Sequence, residues 1–138
     1  MIHYLLDTNT CIHLIKHRPE SFRLKLSSVP VGEIAISSVV SAELWYGVAF
    51  SAKRKQNEAA LQDFLKYVDV LDWPKEAAPI YGKIRAELRR KGTPIGAMDL
   101  LIAAHAKYLN TILVTENQKE FARIPGLKIE NWVDREQD

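Results

Sequence analysis

The chain has 138 residues, 47% of them hydrophobic, and a formal net charge of +2. That length and apolar content suit one compact domain, residues 1–138, able to bury roughly two thirds of its unfolded surface. Nineteen Lys and Arg against 17 Asp and Glu are too even to argue for nucleic acid, and one cysteine, Cys11, excludes an internal disulfide or a thiolate metal site.

The amino terminus, "MIHYLLD", has no basic start and no long apolar centre, and no later run approaches the length of a membrane span. A cytoplasmic protein without membrane attachment is expected. Residues 2–6 read as a buried strand that breaks on Asp7, and 9–16 as a helix with Cys11 on its apolar face, a core thiol. "PESFRLKLSS" predicts a second helix with Pro19 in its first turn. "EIAIS" is a short alternating strand. "SSVVSAELWYGVAF" then starts at serines suited to N-capping and continues as a helix carrying Glu43.

The charged "SAKRKQNE" at 51–58 reads as a surface turn, "EAALQDFLKYV" as a helix and "VDVLDW" as a strand. "PKEAAPIYGKIRAELRRKG" predicts a long amphipathic helix from Pro74 to a stop at Gly92, with Pro79 interrupting its start; Arg85 and Arg89, one turn apart, read as a solvated face. "IGAMDLLIAAHAKYL" is apolar nearly all round, with Asp99 as its only acid. Ile112–Val114 predicts a buried strand, followed by a helical turn, and "GLKIENW" an edge strand. Strands alternating with helices imply an α/β fold: a mostly parallel sheet of four to five strands, helices on both faces and right-handed crossovers.

Three acids stand out by context: Asp7 at a strand end, Glu43 on an apolar helix, and Asp99 near the start of the most apolar helix. Each alone has a structural explanation, as a helix cap or as half of an ion pair. Together they have another, because a parallel sheet brings its strand ends and following helix starts to one rim. Converging carboxylates raise one another's pKa unless a cation neutralises them. An all-oxygen set suits Mg²⁺ or Mn²⁺ over zinc, and such a site suits phosphodiester hydrolysis.

"LLDTN", "SAELWYG", "GAMDLLIAAHA" and "LVTENQKEFARIPGL", in this order over nearly the whole chain, resemble a PIN domain, and more narrowly the VapC toxins of bacterial toxin–antitoxin pairs. The resemblance implies a Mg²⁺-dependent endoribonuclease acting on structured RNA, often transfer RNA, a homodimer held inactive by a cognate antitoxin. By position, Asp7, Glu43 and Asp99 match the family's acidic site, with Asp7 and Asp99 as direct metal ligands. A fourth family position, commonly Asp, is here Asn117. Its amide can coordinate or orient but brings no charge, so Glu120 is expected to supply the missing acid, with Glu116 as the alternative. Thr8, Asn9 and Thr115 are expected to hold the acids or contact phosphate.

His105, six residues past Asp99, points to the opposite helix side and reads as structural. His3, His13 and His17 share no face with an acid at metal-ligand spacing, so zinc is not expected. A phosphatase with a nucleophilic Asp needs a second Asp two residues on, where this chain has Asn9. A non-enzymatic module of the same fold, or a nuclease acting on DNA or ribosomal RNA, stays open. The apolar faces of "SFRLKL" and "LWYGVAF" are candidate docking surfaces for the antitoxin.

Overall fold

A computed structural model of the chain describes residues 1–17, 24, 28–30 and 32–133. The helix expected over 19–28, and with it the "SFRLKL" surface, falls almost wholly outside these residues. Five strands form one parallel sheet: β1 (Tyr4–Leu6), β2 (Ile34–Ser37), β3 (Asp69–Leu71), β4 (Ile112–Val114) and β5 (Lys128–Glu130), in the order β3-β2-β1-β4-β5. Every residue of β2 is buried. Since successive side chains on a strand point to opposite faces, both faces of the sheet centre are covered, as the near-continuous apolar strands require. The edge strand β3 is largely exposed.

The helices are α1 (Thr8–His17), α2 (Ser38–Phe50), α3 (Arg54–Phe64), α4 (Ala78–Arg90), α5 (Ala97–Leu109) and α6 (Gln118–Phe121). Local chemistry explains most of their ends. Ser37 accepts a hydrogen bond from the Val39 N–H and caps α2, as its serines predict. Gly92, at φ +73, closes α4 while the Thr93 N–H reaches back to the Leu88 carbonyl. Asn110 takes the left-handed position after α5, and Thr111 N–H returns to Ala106. Cys11 lies fully buried, and burial pushes its thiol well above the ordinary range, which keeps it an unreactive core group.

Two expectations need correction. The "SAKRKQNE" segment is not a turn throughout, because α3 begins at Arg54. Its first turn is exposed and carries no apolar period, so the pattern announces the helix only from Glu58 on. Nor does one helix run from Pro74. Lys75–Ala77 form a 3-10 turn, and the α-helix starts afresh at Ala78, which places Pro79 in a first turn where its missing donor costs nothing.

The core is continuous across the sheet, from Leu14, Val40 and Leu61 on one set of helices to Ile84, Leu88 and Leu100 on another. Trp73 pins β3 to it: its backbone N–H donates to Ser38 Oγ and its indole N–H to the Leu101 carbonyl at 2.8 Å. Arg85 and Arg89 are exposed, as a solvated face should be, with Arg85 donating to the Tyr81 hydroxyl. Among the described residues no helix is long and apolar enough to cross a membrane.

Candidate active site

The strand order runs outward from β1 to β2 and β3 on one side, and from β4 to β5 on the other. The reversal falls between β1 and β4, and open parallel sheets place their ligand crevices outside the carboxyl ends at such a point. Asp7 and Thr115 are the residues immediately after those two strands. The ladder continues through them, since Asp7 N–H donates to the Val114 carbonyl at 3.1 Å.

Asp7 is 3% exposed. One of its oxygens, Oδ1, accepts the Thr10 backbone N–H at 2.9 Å, so Asp7 does cap α1. The two readings of this carboxylate are therefore compatible, because a cap occupies only part of its accepting capacity. Burial raises its pKa above the usual carboxylate value. Hydrogen bonds from Thr115 and Thr10 work against that rise, and the charge of Glu116 adds to it.

Glu43, in the second turn of α2, accepts a hydrogen bond from the Thr8 hydroxyl at 2.5 Å. Asp99 stands in the first turn of α5, but Gly96 occupies the cap position, so Asp99 is not the cap. A helix start favours a negative charge. Burial, then the charges of Glu120, Asp7 and Glu43, outweigh that and push the Asp99 carboxyl up to about 6. The convergence expected from parallel topology is thus present around Asp99. Burial rather than mutual repulsion is the larger cause of the rise at both Asp7 and Asp99.

Asn117 is the residue just before α6, with its backbone N–H held by Thr115 Oγ1 at 2.9 Å and its side-chain amide donating to the Glu120 carboxylate. That clamp turns Glu120 into a neighbour of Asp99. Thr8 and Thr115 are brought onto the acids as expected. Asn9 lines an adjoining recess with His13, Lys16, His17, Glu116 and Asn117. Glu116 faces His13, Nδ1 to Oε1 at 3.9 Å, and acts on Asp7 rather than Asp99. His3 likewise contacts Glu33. Both histidines therefore do meet an acid, supplied from far along the chain where spacing could not reveal it. His105 is buried in α5, and burial lowers its pKa, in keeping with a structural role.

Among the described residues no Lys or Arg forms an ion pair with Asp7, Glu43, Asp99 or Glu120. Glu120, Asp7 and Glu43 all bear on Asp99 with no basic partner among the described residues, a set whose charge a hard cation would offset and whose oxygen donors suit Mg²⁺ or Mn²⁺. Among the described residues no group of three or more Asp, Glu, His or Cys side chains is placed to hold a metal ion as it stands. His13 and its recess were missed by sequence reasoning. The available signal was the row Asn9, His13, His17, four residues apart and starting two residues after Asp7.

A PIN domain profile matches residues 4–127. The chain is 47% identical to "Ribonuclease VapC2" of Rickettsia felis, over 94% of this chain and 97% of that protein. It is 44% identical to the "tRNA(fMet)-specific endonuclease VapC" of Salmonella typhimurium, over 96% and 99%. The fold is similar to that in the crystal structure of VapBC2 from Rickettsia felis bound to a DNA fragment from their promoter, with a TM-score of 0.91, 46% identity and coverage of 96% of this chain and 100% of that one.

Proposed function

The chain belongs to the PIN domain family, and within it to the VapC ribonucleases, and on that premise we propose that it is a Mg²⁺-dependent endoribonuclease toxin that cuts structured RNA. Transfer RNA is the proposed substrate class, since a similar enzyme is named for a transfer RNA. The observation that carries the metal-dependent reading is Asp99, pushed up to about 6 by burial and by Glu120, Asp7 and Glu43 with no basic partner among the described residues.

Asp7 and Asp99 would hold the ion, with Glu43 acting directly or through water. When bound, Mg²⁺ supplies positive charge against the phosphate and eases deprotonation of a nearby water. The chain's own groups do the rest. Thr8 holds Glu43 Oε1, which fixes that carboxylate's orientation. The Thr10 N–H anchors Asp7 Oδ1, which fixes the carboxylate and leaves it further accepting capacity. Asn117 clamps Glu120 beside Asp99, completing the set in place of a fourth Asp.

The proposed partner is a cognate antitoxin, supported by the similar VapBC2 structure from Rickettsia felis; a homodimer is what the family resemblance implies. A groove between α1, α2 and α3, lined by the apolar Ile12, Ile15, Leu44, Val48 and Leu61 and bordered by Lys16 and Glu43, is the proposed seat of an antitoxin helix. Trp45, Tyr46 and Phe50 of the "LWYGVAF" stretch are exposed on α2. The test of the activity is a panel of labelled RNAs and DNAs incubated with Mg²⁺ or with EDTA. RNA cleavage that depends on the metal is expected; cleavage surviving exhaustive chelation, or confined to DNA, would overturn the reading.

A further inference from the structure

We infer that the recess beside the carboxylates is a nucleobase subsite, which takes a base of the RNA strand next to the phosphate that is cut. This rests on the ribonuclease reading. The recess has a volume of about 450 Å³, and its walls come from one face of α1 and from the turn between β4 and α6. Asn9, His13 and His17 are four residues apart, so they form a single row along α1 that begins two residues after Asp7. Glu116 and Asn117 form the opposite wall.

The same residues bound the recess and the acid set. Glu116 acts on Asp7, and Asn117 donates to Glu120, which acts on Asp99. A strand with its phosphate at the acids therefore has this recess as the neighbouring space.

The lining has the chemistry of base recognition. The His17 ring is exposed and lies 4.7 Å from the mostly covered His13 ring, tilted by 45°, so His17 offers flat aromatic surface of the kind on which unstacked RNA bases settle and His13 backs it. Asn9 and Asn117 each carry an amide donor and an amide acceptor, and the Glu116 carboxylate accepts, which matches the mixed edge of a base. The Asn117 amide is already oriented by Glu120. Lys16 adds a cation for the attached phosphate. A volume of this order is that of ordinary small-ligand sites.

The test tracks the imidazole resonances of the full chain by NMR in EDTA while each of the four nucleoside 5′-monophosphates is added, with ribose 5-phosphate as the base-free control. Saturable shifts at His13 and His17 with at least one nucleotide are expected, with His3 and His105 unmoved and ribose 5-phosphate much weaker. Equal shifts with ribose 5-phosphate would reduce the recess to a phosphate site, and no saturable shift would remove it; either overturns the inference. In cleavage assays His17→Leu should raise KM by roughly 5- to 100-fold, well beyond any fall in kcat, with His17→Phe restoring it. An unchanged KM counts against the subsite. If the chain cuts no RNA, the ribonuclease reading falls while the nucleotide titration still decides the subsite.

Discussion

The Thr8 hydroxyl donates to Glu43 Oε1 over 2.5 Å and so ties the first residue of α1 to the second turn of α2. A neutral hydroxyl aimed at a half-buried carboxylate sets that group's orientation without cancelling its charge. Thr8→Val, which keeps the shape and removes the donor, should weaken cleavage or its Mg²⁺ dependence by roughly 10- to 100-fold while leaving the fold intact. Initial rates across a Mg²⁺ titration measure this. A variant with wild-type rates at every metal concentration would show that Thr8 only occupies space.

Asp7 combines a cap with a proposed metal ligand, and two substitutions separate them. Asp7→Asn keeps an oxygen for the Thr10 N–H but loses the charge, whereas Asp7→Ala loses both. Both should lower RNA cleavage by at least about 100-fold. Only the alanine variant should also lose about 1 kcal/mol of stability from the missing cap. Thermal melts beside cleavage assays give the answer, and an active, folded Asp7→Asn protein would end the case for Asp7 as a ligand.

Asp99 makes the stability of the metal-free protein depend on pH. Its folded pKa of about 6 lies above the unfolded value of 3.8, so below about pH 4 the carboxyl is protonated in both states and no penalty applies. As pH rises from about 4 to 6, the unfolded chain ionises first and stability falls. Above 6 the penalty is complete. Asp99→Asn should therefore raise the melting temperature in EDTA at pH 7, by an amount on the order of 1 kcal/mol after solvent screening at a half-buried group, and should lose that advantage below pH 4. Added Mg²⁺ should reverse the ranking, because binding only the folded wild type stabilises it by RT ln(1 + [L]/Kd). A destabilised variant indifferent to Mg²⁺ would instead mark Asp99 as a structural group.

Expression of the chain without an antitoxin should arrest growth, and the arrest should disappear with Asp7→Ala. Gly47 offers a sharper probe of the partner surface, since a Cβ added there meets nothing within 4 Å and the fold can accept Gly47→Gln. Co-expressed antitoxin should rescue cells from the wild type but not from this variant, whose side chain fills the groove between α1, α2 and α3. Equal rescue of both would move the antitoxin elsewhere.

Features set by short-range chemistry were legible in the residues themselves. The break at Asp7, the Ser37 cap, the stop at Gly92 and the apolar strands Tyr4–Leu6 and Ile112–Val114 each depend on neighbours a few positions away, which a linear pattern records. Parallel topology accounts for Asp7 and Glu43 coming to one rim, because such a sheet gathers its strand ends and the helix starts after them, whereas Asp99 joins them from α5, which follows another helix. Other features belong to the folded chain alone. The start of α3 at Arg54 has no apolar period to announce it, and the Asp99 pKa reflects burial by elements far along the sequence. Glu116 faces His13 from 103 positions away, and Asn9 turns into a recess beside the acids although it sits next to Thr8. Burial and contact between distant segments depend on how helices pack on the sheet, and no local pattern carries that information.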